Sequence, residues 1–203
     1  MSETDKKSDL ILEGAIKRFC HFGINKTSMS EIAEDLSLSK PALYYYYPDK
    51  QSLIVAVADK ISSAYADEVE VIFKKISTLE DALMDLIELR RNFFLKYFML
   101  HMEEEYSDAY LKDPTLIQVM HKVKKREIGI IAASFQAGIE NGEILEIDAF
   151  KTTELLLDTL RGLRSSCMRS EKMILPDADA FEQVFCKQKE VARIFLKGIK
   201  NHS

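Results

Sequence analysis

The chain has 203 residues, of which 47% are hydrophobic and 30% charged, the composition of a globular protein with one or two domains. Seven glycines, four prolines and no tryptophan over this length favour long helices over many strands. The net charge of −5 excludes a basic composition as the feature that would identify a nucleic-acid partner.

The sequence also argues against membrane insertion and secretion. The start of the chain is polar and of mixed charge, unlike a signal peptide, and no apolar run approaches the ~18 residues of a membrane span. Cys20, Cys167 and Cys186 are widely spaced and form no Cys-x-x-Cys pair. They are typical of reduced thiols, so we expect a cytoplasmic protein, with a redox sensor as the alternative.

The first predicted helix runs from about Ser8 to Phe22, and Gly23 ends it. Two short helices joined by a tight turn follow. Thr27 and Ser28 supply N-cap oxygens for the first of them, whose apolar residues fall at helical spacing: Met29, Ile32, Ala33 and Leu36.

The second short helix is crowded with tyrosine. Ser39 caps it, and Pro41 is tolerated in its first turn. Leu43 and Tyr47 are four residues apart and are expected to pack inward. The three tyrosines between them, at positions 44–46, sweep the remaining circumference, so at least two must face outward. Exposed aromatic rings indicate a partner, and the alternative is a second core that covers them.

Five further helices are predicted. The first is long: it begins at Asp49 and runs to about Lys75, a length of roughly 35–40 Å that suits a strut between a head and a body. The next begins near Ser77, which with Glu80 has the spacing of a capping box. The remaining helices span from Asp113-Pro114 to Asn141-Gly142, from Asp148 onward, and from Asp179 to near the end. No strand pattern is convincing.

Two smaller clusters have competing interpretations. Four basic residues, Lys122, Lys124, Lys125 and Arg126, are either a solvated helix face or a second nucleic-acid contact. His101, Glu105 and His121 are either exposed polar residues or metal ligands. No Cys-His set supports a metal, and nothing in the sequence indicates a cofactor.

The segment from about residue 10 to residue 55 resembles the TetR family of bacterial transcriptional regulators. The resemblance begins with Ile11-Leu12, Ala15, Phe19 and Gly23 and runs through Thr27 and Ile32-Ala33. The stretch from Ser39 to Lys50, Ser-Lys-Pro-Ala-Leu-Tyr-Tyr-Tyr-Tyr-Pro-Asp-Lys, carries it most specifically. Ser37 departs from the family's usual Gly, at a cost of ~1 kcal/mol in a left-handed turn. Tyr47 replaces the commoner Phe and adds a hydroxyl that needs a partner.

The resemblance implies an all-α fold with a three-helix helix-turn-helix head, residues 1–55, and a helical effector-binding and dimerisation body, residues 56–203. By matching positions it implies base-edge contacts to double-stranded DNA from Lys40, Pro41, Ala42 and Tyr45. It implies phosphate contacts from Thr27, Ser28, Ser39, Tyr44, Tyr46 and Lys50.

The resemblance also implies a ligand pocket in the body. Large soft side chains are abundant between residues 93 and 135, and they suit either a core or an adaptable apolar pocket. The expected lining of a site for a small apolar effector is Phe94, Tyr97, Phe98, Met102, Tyr106, Met120 and Phe135.

A helix of seven residues reads only a few base pairs, so specificity requires two copies and a palindromic operator. We expect a homodimer whose last two helices form a four-helix bundle, with an interface of Leu156, Leu157, Leu160, Leu163, Phe181, Phe185 and Phe195. The predicted function is a ligand-responsive regulator, most simply a repressor. An adaptor controlled by a protein partner is the alternative. An enzyme is disfavoured because no Gly-rich phosphate loop, nucleophile elbow or metal motif is present.

Overall fold

The computed structural model describes residues 3–75, 78–97, 112–170 and 178–201, and within them the chain is helical. The helices are α1 (Glu3–Phe22), α2 (Met29–Asp35), α3 (Lys40–Tyr46), α4 (Lys50–Lys75), α5 (Leu79–Lys96), α6 (Pro114–Glu140), α7 (Ala149–Ser170) and α8 (Ala178–Ile199). The described part contains no named strand, only an isolated antiparallel bridge between Ile144 and Lys200. The all-α prediction is confirmed.

The ends of the helices follow local chemistry that is visible in the sequence. Gly23 ends α1 with φ +84° and Gly142 follows α6 with φ +79°, both in the left-handed region that glycine tolerates best. The Asp113 carboxylate accepts the Thr115 and Leu116 amides at 2.8 and 3.0 Å, which caps α6 as predicted. At α5 the hydroxyl of Thr78 accepts the Asp81 amide at 3.1 Å and acts as the cap. Ser77, the residue expected there, lies outside the described residues.

The first three helices enclose a core with the start of α4. Its buried members are Ile11, Leu12, Ala15, Phe19, Met29, Ile32, Ala33, Leu43, Tyr47, Leu53, Ile54 and Val57. α1 and α2 approach closely at Gly14, where an added Cβ would lie 2.7 Å from a methyl carbon of Leu36. This close approach fixes α2 against the backing helix, so the short α2–α3 pair rests on a rigid support.

The chain forms two compact units. The first consists of Met1–Tyr65 with Phe93–Val123, and the second of Ala66–Asn92 with Lys124–Ser203. The first unit therefore contains the three-helix head together with the end of α5 and the start of α6. The division into residues 1–55 and 56–203 remains a prediction. That division does not group Phe93–Val123 with the N-terminal residues, as the first compact unit does.

Within the second unit, α7 and α8 are antiparallel. The Leu145 amide donates to the Ile199 carbonyl at 2.9 Å, and the Gln188 side chain donates to the Leu160 carbonyl at 2.6 Å, so residue numbers rise in one helix as they fall in the other. None of the helices in the described ranges combines the length and apolarity that crossing a membrane requires.

A buried ion pair crosses the same unit from α5 to α6. The Arg90 guanidinium donates two hydrogen bonds, of 2.7 and 3.3 Å, to one carboxylate oxygen of Glu127, and both side chains are largely buried. Two donors on one acceptor fix the rotation of both helices about their axes.

Candidate DNA-binding surface and ligand cavity

A complete capping box forms the start of α2. The Ser28 hydroxyl accepts the Glu31 amide at 3.3 Å, and one carboxylate oxygen of Glu31 accepts the Ser28 amide at 2.8 Å and its hydroxyl at 2.7 Å. These hydrogen bonds from Ser28 are the main reason that the pKa of Glu31 lies below its ordinary value of 4.5. Glu31 is therefore held ionised, and it fixes the first turn of α2.

The capping arrangement changes the role that the sequence assigns to Thr27 and Ser28. Both donors of Ser28, the amide and the hydroxyl, are used by Glu31. The Thr27 hydroxyl is buried and donates to the Gly23 carbonyl at 2.8 Å. As a result, neither hydroxyl proton is available for a phosphate oxygen in this structure. Thr27 and Ser28 shape the start of α2.

α3 carries the exposed side chains expected of a helix that contacts DNA. Ser39 caps it by accepting the Ala42 amide at 3.3 Å, and Pro41 occupies its first turn. Lys40 and Pro41 are exposed, Tyr44 is 44% exposed and Tyr45 is 79% exposed. The expectation that at least two of the three tyrosines face outward is confirmed.

The opposite side of α3 is anchored in the head. Leu43 is fully buried, and Tyr46 packs against the head core with its ring edge-on to that of Tyr45, 5.3 Å between centroids. The hydroxyl of the buried Tyr47 lies 2.8 Å from the hydroxyl of Ser8 on α1. The extra hydroxyl of Tyr47 thus has the partner that burial demands.

Ion pairs neutralise part of the positive charge of the head. Arg18 on α1 contacts Glu31 at 2.9 Å and Asp35 at 2.6 Å, which joins α1 to α2. Lys40, at the start of α3, makes no ion pair with any residue that the structure describes. Since its charge is free and exposed, Lys40 is the cation best placed for DNA on this surface. Lys50, the remaining predicted contact, is the first residue of α4 and is half-buried.

The turn between α2 and α3 has helix-turn-helix geometry. Ser37 has φ +53°, the left-handed conformation that the usual Gly would adopt. The Leu38 amide donates to the Ala33 carbonyl at 2.8 Å across the turn. The side chain therefore does not prevent the turn, although it strains the backbone.

Known proteins share this arrangement. A family model described as bacterial regulatory proteins of the tetR family matches residues 11–57. The chain belongs to the TetR family. RutR, an HTH-type transcriptional regulator of Escherichia coli strain K12, is 28% identical over 199 residues, which are 96% of this chain and 91% of RutR.

Other TetR-like proteins match part or all of the chain. The uncharacterized HTH-type regulator YuxN of Bacillus subtilis is 42% identical over 52 residues, 26% of this chain and 18% of YuxN. The crystal structure of a transcriptional regulator from Cytophaga hutchinsonii has a TM-score of 0.83 and 29% identity, covering 96% of this chain and 98% of that one. This TetR-family protein is a DNA-binding transcriptional regulator.

The residues predicted to line an effector site fall in both units and partly outside the described residues, so a common site for them remains a prediction. Phe94 is buried in the first unit, Phe135 is fully buried in the second, and Met120 is 48% exposed. Phe98, Met102 and Tyr106 lie outside the described residues. Phe135 has no exposed surface because it fills the core, a role its sequence does not distinguish from pocket lining.

Tyr97 does line a cavity, which lies within the first unit. The cavity has a volume of about 560 Å³ and is bounded by Glu13, Ile16, Lys17, Cys20, His21, Lys60, Lys96 and Tyr97. Most of these residues come from α1, and sequence reasoning assigned them no role. The helical spacing of positions 13, 16, 17, 20 and 21 does indicate a common face of α1. Their mixed polarity, however, does not distinguish that face as a site.

The residues predicted for the dimer interface lie mostly inside the single chain. Leu156, Leu157, Leu160, Phe181 and Phe185 are buried, whereas Leu163 and Phe195 are half-buried. The buried five fill the space between α7, α8 and the rest of their unit. The exposed apolar residues of the two helices are others, Phe150, Leu155 and Ile194. A dimer surface on α7 and α8 stays a prediction, and these exposed residues are its better markers.

The alternative metal site receives no support from the part of the chain that the structure describes. His101 and Glu105 lie outside the described residues. Among those described, no three His, Cys, Asp or Glu side chains gather as metal ligands. The cation cluster near Lys122 is partly paired, because Arg126 contacts Asp67 at 2.8 Å and Glu70 at 2.6 Å. Arg126 therefore ties α6 to the end of α4.

Proposed function

We propose that this TetR-family protein is a cytoplasmic repressor that binds a palindromic operator as a homodimer and is released by a small, mainly apolar effector. The observation that carries the proposal is the surface of α3, where Lys40, Tyr44 and Tyr45 are exposed on a helix capped by Ser39 and anchored by Leu43. We call these three exposed side chains the rim of α3. A rigid, seven-residue helix with this rim fits the major groove.

The chemistry of the rim suits both kinds of DNA contact. Lysine donates to guanine edges or to phosphates, and a tyrosine ring lies against a thymine methyl while its hydroxyl reaches a phosphate oxygen. A helix start such as that of α2 offers backbone amides for a phosphate contact that needs no net positive charge. The proposal thus agrees with a chain that carries a net charge of −5.

The proposal includes two-fold symmetry because one copy of α3 covers too few base pairs for specific binding. Two copies held by an interface read two half-sites about one helical turn apart, ~34 Å. The exposed apolar residues Leu155 and Ile194 on α7 and α8 support an interface on that helix pair.

Mobility-shift titration of an operator obtained by selection from random DNA tests the proposal. We expect the double variant Lys40→Ala, Tyr45→Ala to bind at least about 100-fold more weakly, since each lost base contact costs ~1–3 kcal/mol and a dimer loses each twice. Both side chains are exposed, so the helical circular dichroism should be unchanged. Lys197→Ala, which removes an equal charge on α8, is the matched control and should bind normally. Unchanged affinity of the double variant at matched salt would place DNA on another surface.

Release by an effector is tested by reciprocity. A ligand that weakens operator binding by some factor must itself bind more weakly by the same factor when operator is present. Ligand affinity that is equal with and without operator would instead favour an adaptor controlled by a protein partner.

A further inference from the structure

The cavity in the first unit has walls from three helices. α1 supplies Glu13, Ile16, Lys17, Cys20 and His21, α4 supplies Lys60, and the end of α5 supplies Lys96, with Tyr97 directly after it. Its volume of about 560 Å³ lies in the range of small-molecule sites, ~300–1,000 Å³.

Two faces of α1 lie in different environments. One consists of fully buried apolar residues, Ile11, Ala15 and Phe19, and packs in the head core. The other face, which lines the cavity, includes the half-buried Ile16 and Cys20. Burial raises the pKa of the Cys20 thiol, and the nearby Lys96 ammonium opposes this, so the floor is apolar and close to a positive charge.

The charges around the cavity do not cancel. Lys60 is occupied by Asp9 at 3.0 Å and Glu13 at 3.8 Å. Lys17 and Lys96 have no carboxylate partner among the residues that the structure describes, and the Lys96 ammonium lies 5.2 Å from the Tyr97 ring centroid. Two ammonium groups from two different helices therefore share one cavity with the only lining carboxylate already paired.

We propose that this cavity binds a small organic anion, with its charged group held by Lys17 and Lys96 and its apolar part against Ile16, Cys20 and Tyr97. An anion supplies the compensating charge that the two lysines lack, and an apolar body covers the half-buried floor and the buried Tyr97 ring. Both lysine side chains are exposed, so their charges are available to an incoming anion, whereas a purely apolar ligand would gain nothing from them. This inference concerns the first unit and holds whether or not the ligand regulates DNA binding, so it goes beyond the proposed function.

The first test titrates the full-length protein with 8-anilinonaphthalene-1-sulfonate, a fluorescent anion with an aromatic body. We expect Lys17→Gln and Lys96→Gln each to weaken binding roughly five- to tenfold, as loss of one charged contact should. Lys122→Gln, an exposed lysine of the same unit, is the matched control and should bind as the wild type does. The uncharged analogue N-phenyl-1-naphthylamine should bind more weakly and ignore both cavity substitutions. Equal affinity for the two probes, or wild-type affinity in both cavity variants, would overturn the proposal.

The second test locates the probe through Cys20. Saturating anilinonaphthalene sulfonate should slow alkylation of Cys20 by N-ethylmaleimide at least about threefold, measured by peptide mass spectrometry. Cys186 on α8 is exposed and serves as the internal reference, whose rate should not change. Protection should disappear in the Lys17→Gln, Lys96→Gln double variant. Unprotected Cys20 at saturation, or equal protection of Cys186, would show that the anion binds elsewhere and would refute the site.

Discussion

Replacing Leu155 by glutamate should separate the two protomers of the proposed dimer without unfolding either of them. Leu155 on α7 is 62% exposed in the single chain, and Ile194 on α8 is 63% exposed. The antiparallel register set by the Leu160–Gln188 and Leu145–Ile199 hydrogen bonds brings residues 155 and 194 to nearly the same level. A partner that covers this level of the helix pair would bury both residues.

The magnitude follows from the exposed fraction. Full burial of a leucine side chain is worth ~1.5–3 kcal/mol, so covering the exposed 62% of Leu155 contributes about 1–2 kcal/mol per protomer. A symmetric interface contains the residue twice, which gives about 2–4 kcal/mol and a dissociation constant raised roughly 30- to 700-fold. Desolvation of the new carboxylates increases the effect further.

Light scattering at micromolar concentration measures the mass, and circular dichroism measures the helical content and melting temperature. We expect Leu155→Glu to be a folded monomer. Leu10→Glu, the same change at a leucine of α1 that is 48% exposed, should remain a dimer. Leu160→Glu places a carboxylate in the core, since Leu160 is only 1% exposed, and should unfold the protein.

Two results would refute this reasoning. If Leu155→Glu dimerises with the same dependence on protein concentration as the wild type, the interface does not lie on α7 and α8. A stably folded Leu160→Glu protein would show that Leu160 is not part of the chain's own core.

Three further predictions concern stability. Ser37→Gly should raise the unfolding free energy by about 0.5–1 kcal/mol in urea denaturation, because Ser37 has φ +53°, and a lower stability would contradict strain at the turn. The interactions that lower the pKa of Glu31 stabilise the fold at neutral pH, and this contribution should be lost as the pH falls through the lowered folded-state pKa. The melting temperature of Glu31→Gln should therefore depend less on acid between pH 6 and 3 than that of the wild type, and an equal dependence would contradict the reasoning. Arg90→Met leaves the buried Glu127 without its two-pronged donor and should cost about 3 kcal/mol in the same urea assay, whereas a loss under about 1 kcal/mol would mean that water replaces the guanidinium.

Much of the architecture can be predicted from local sequence. Asp113-Pro114, Gly23 and Asn141-Gly142 lie at helix ends because capping and left-handed turns depend on residues within a few positions of one another. The exposed side of α3 was predictable for the same reason, since the angular position of Tyr45 follows from helical periodicity once Leu43 faces inward.

Other features depend on contacts between distant parts of the chain. Leu156, Leu157 and Leu160 form an apolar stripe that is equally consistent with a core and with a protein interface. Only the packing of α7 in its unit shows that they are buried within the chain. Ser28 has the same hydroxyl whether it binds phosphate or Glu31, and only the built capping box shows that its donors are used.

The sequence by itself determined the helices, most of their ends and the family, because these follow from short-range periodicity, capping and a specific motif; the start of α1 at Glu3 rather than Ser8 is an exception. The tertiary structure decided which apolar residues remain exposed, Leu155 rather than Leu160, and where a cavity lies. Lys17 and Lys96 are 79 positions apart by subtraction of their numbers, and only the fold brings them to the same cavity. Periodicity assigns a residue to a face of its helix, but what covers that face depends on helices far away in the chain.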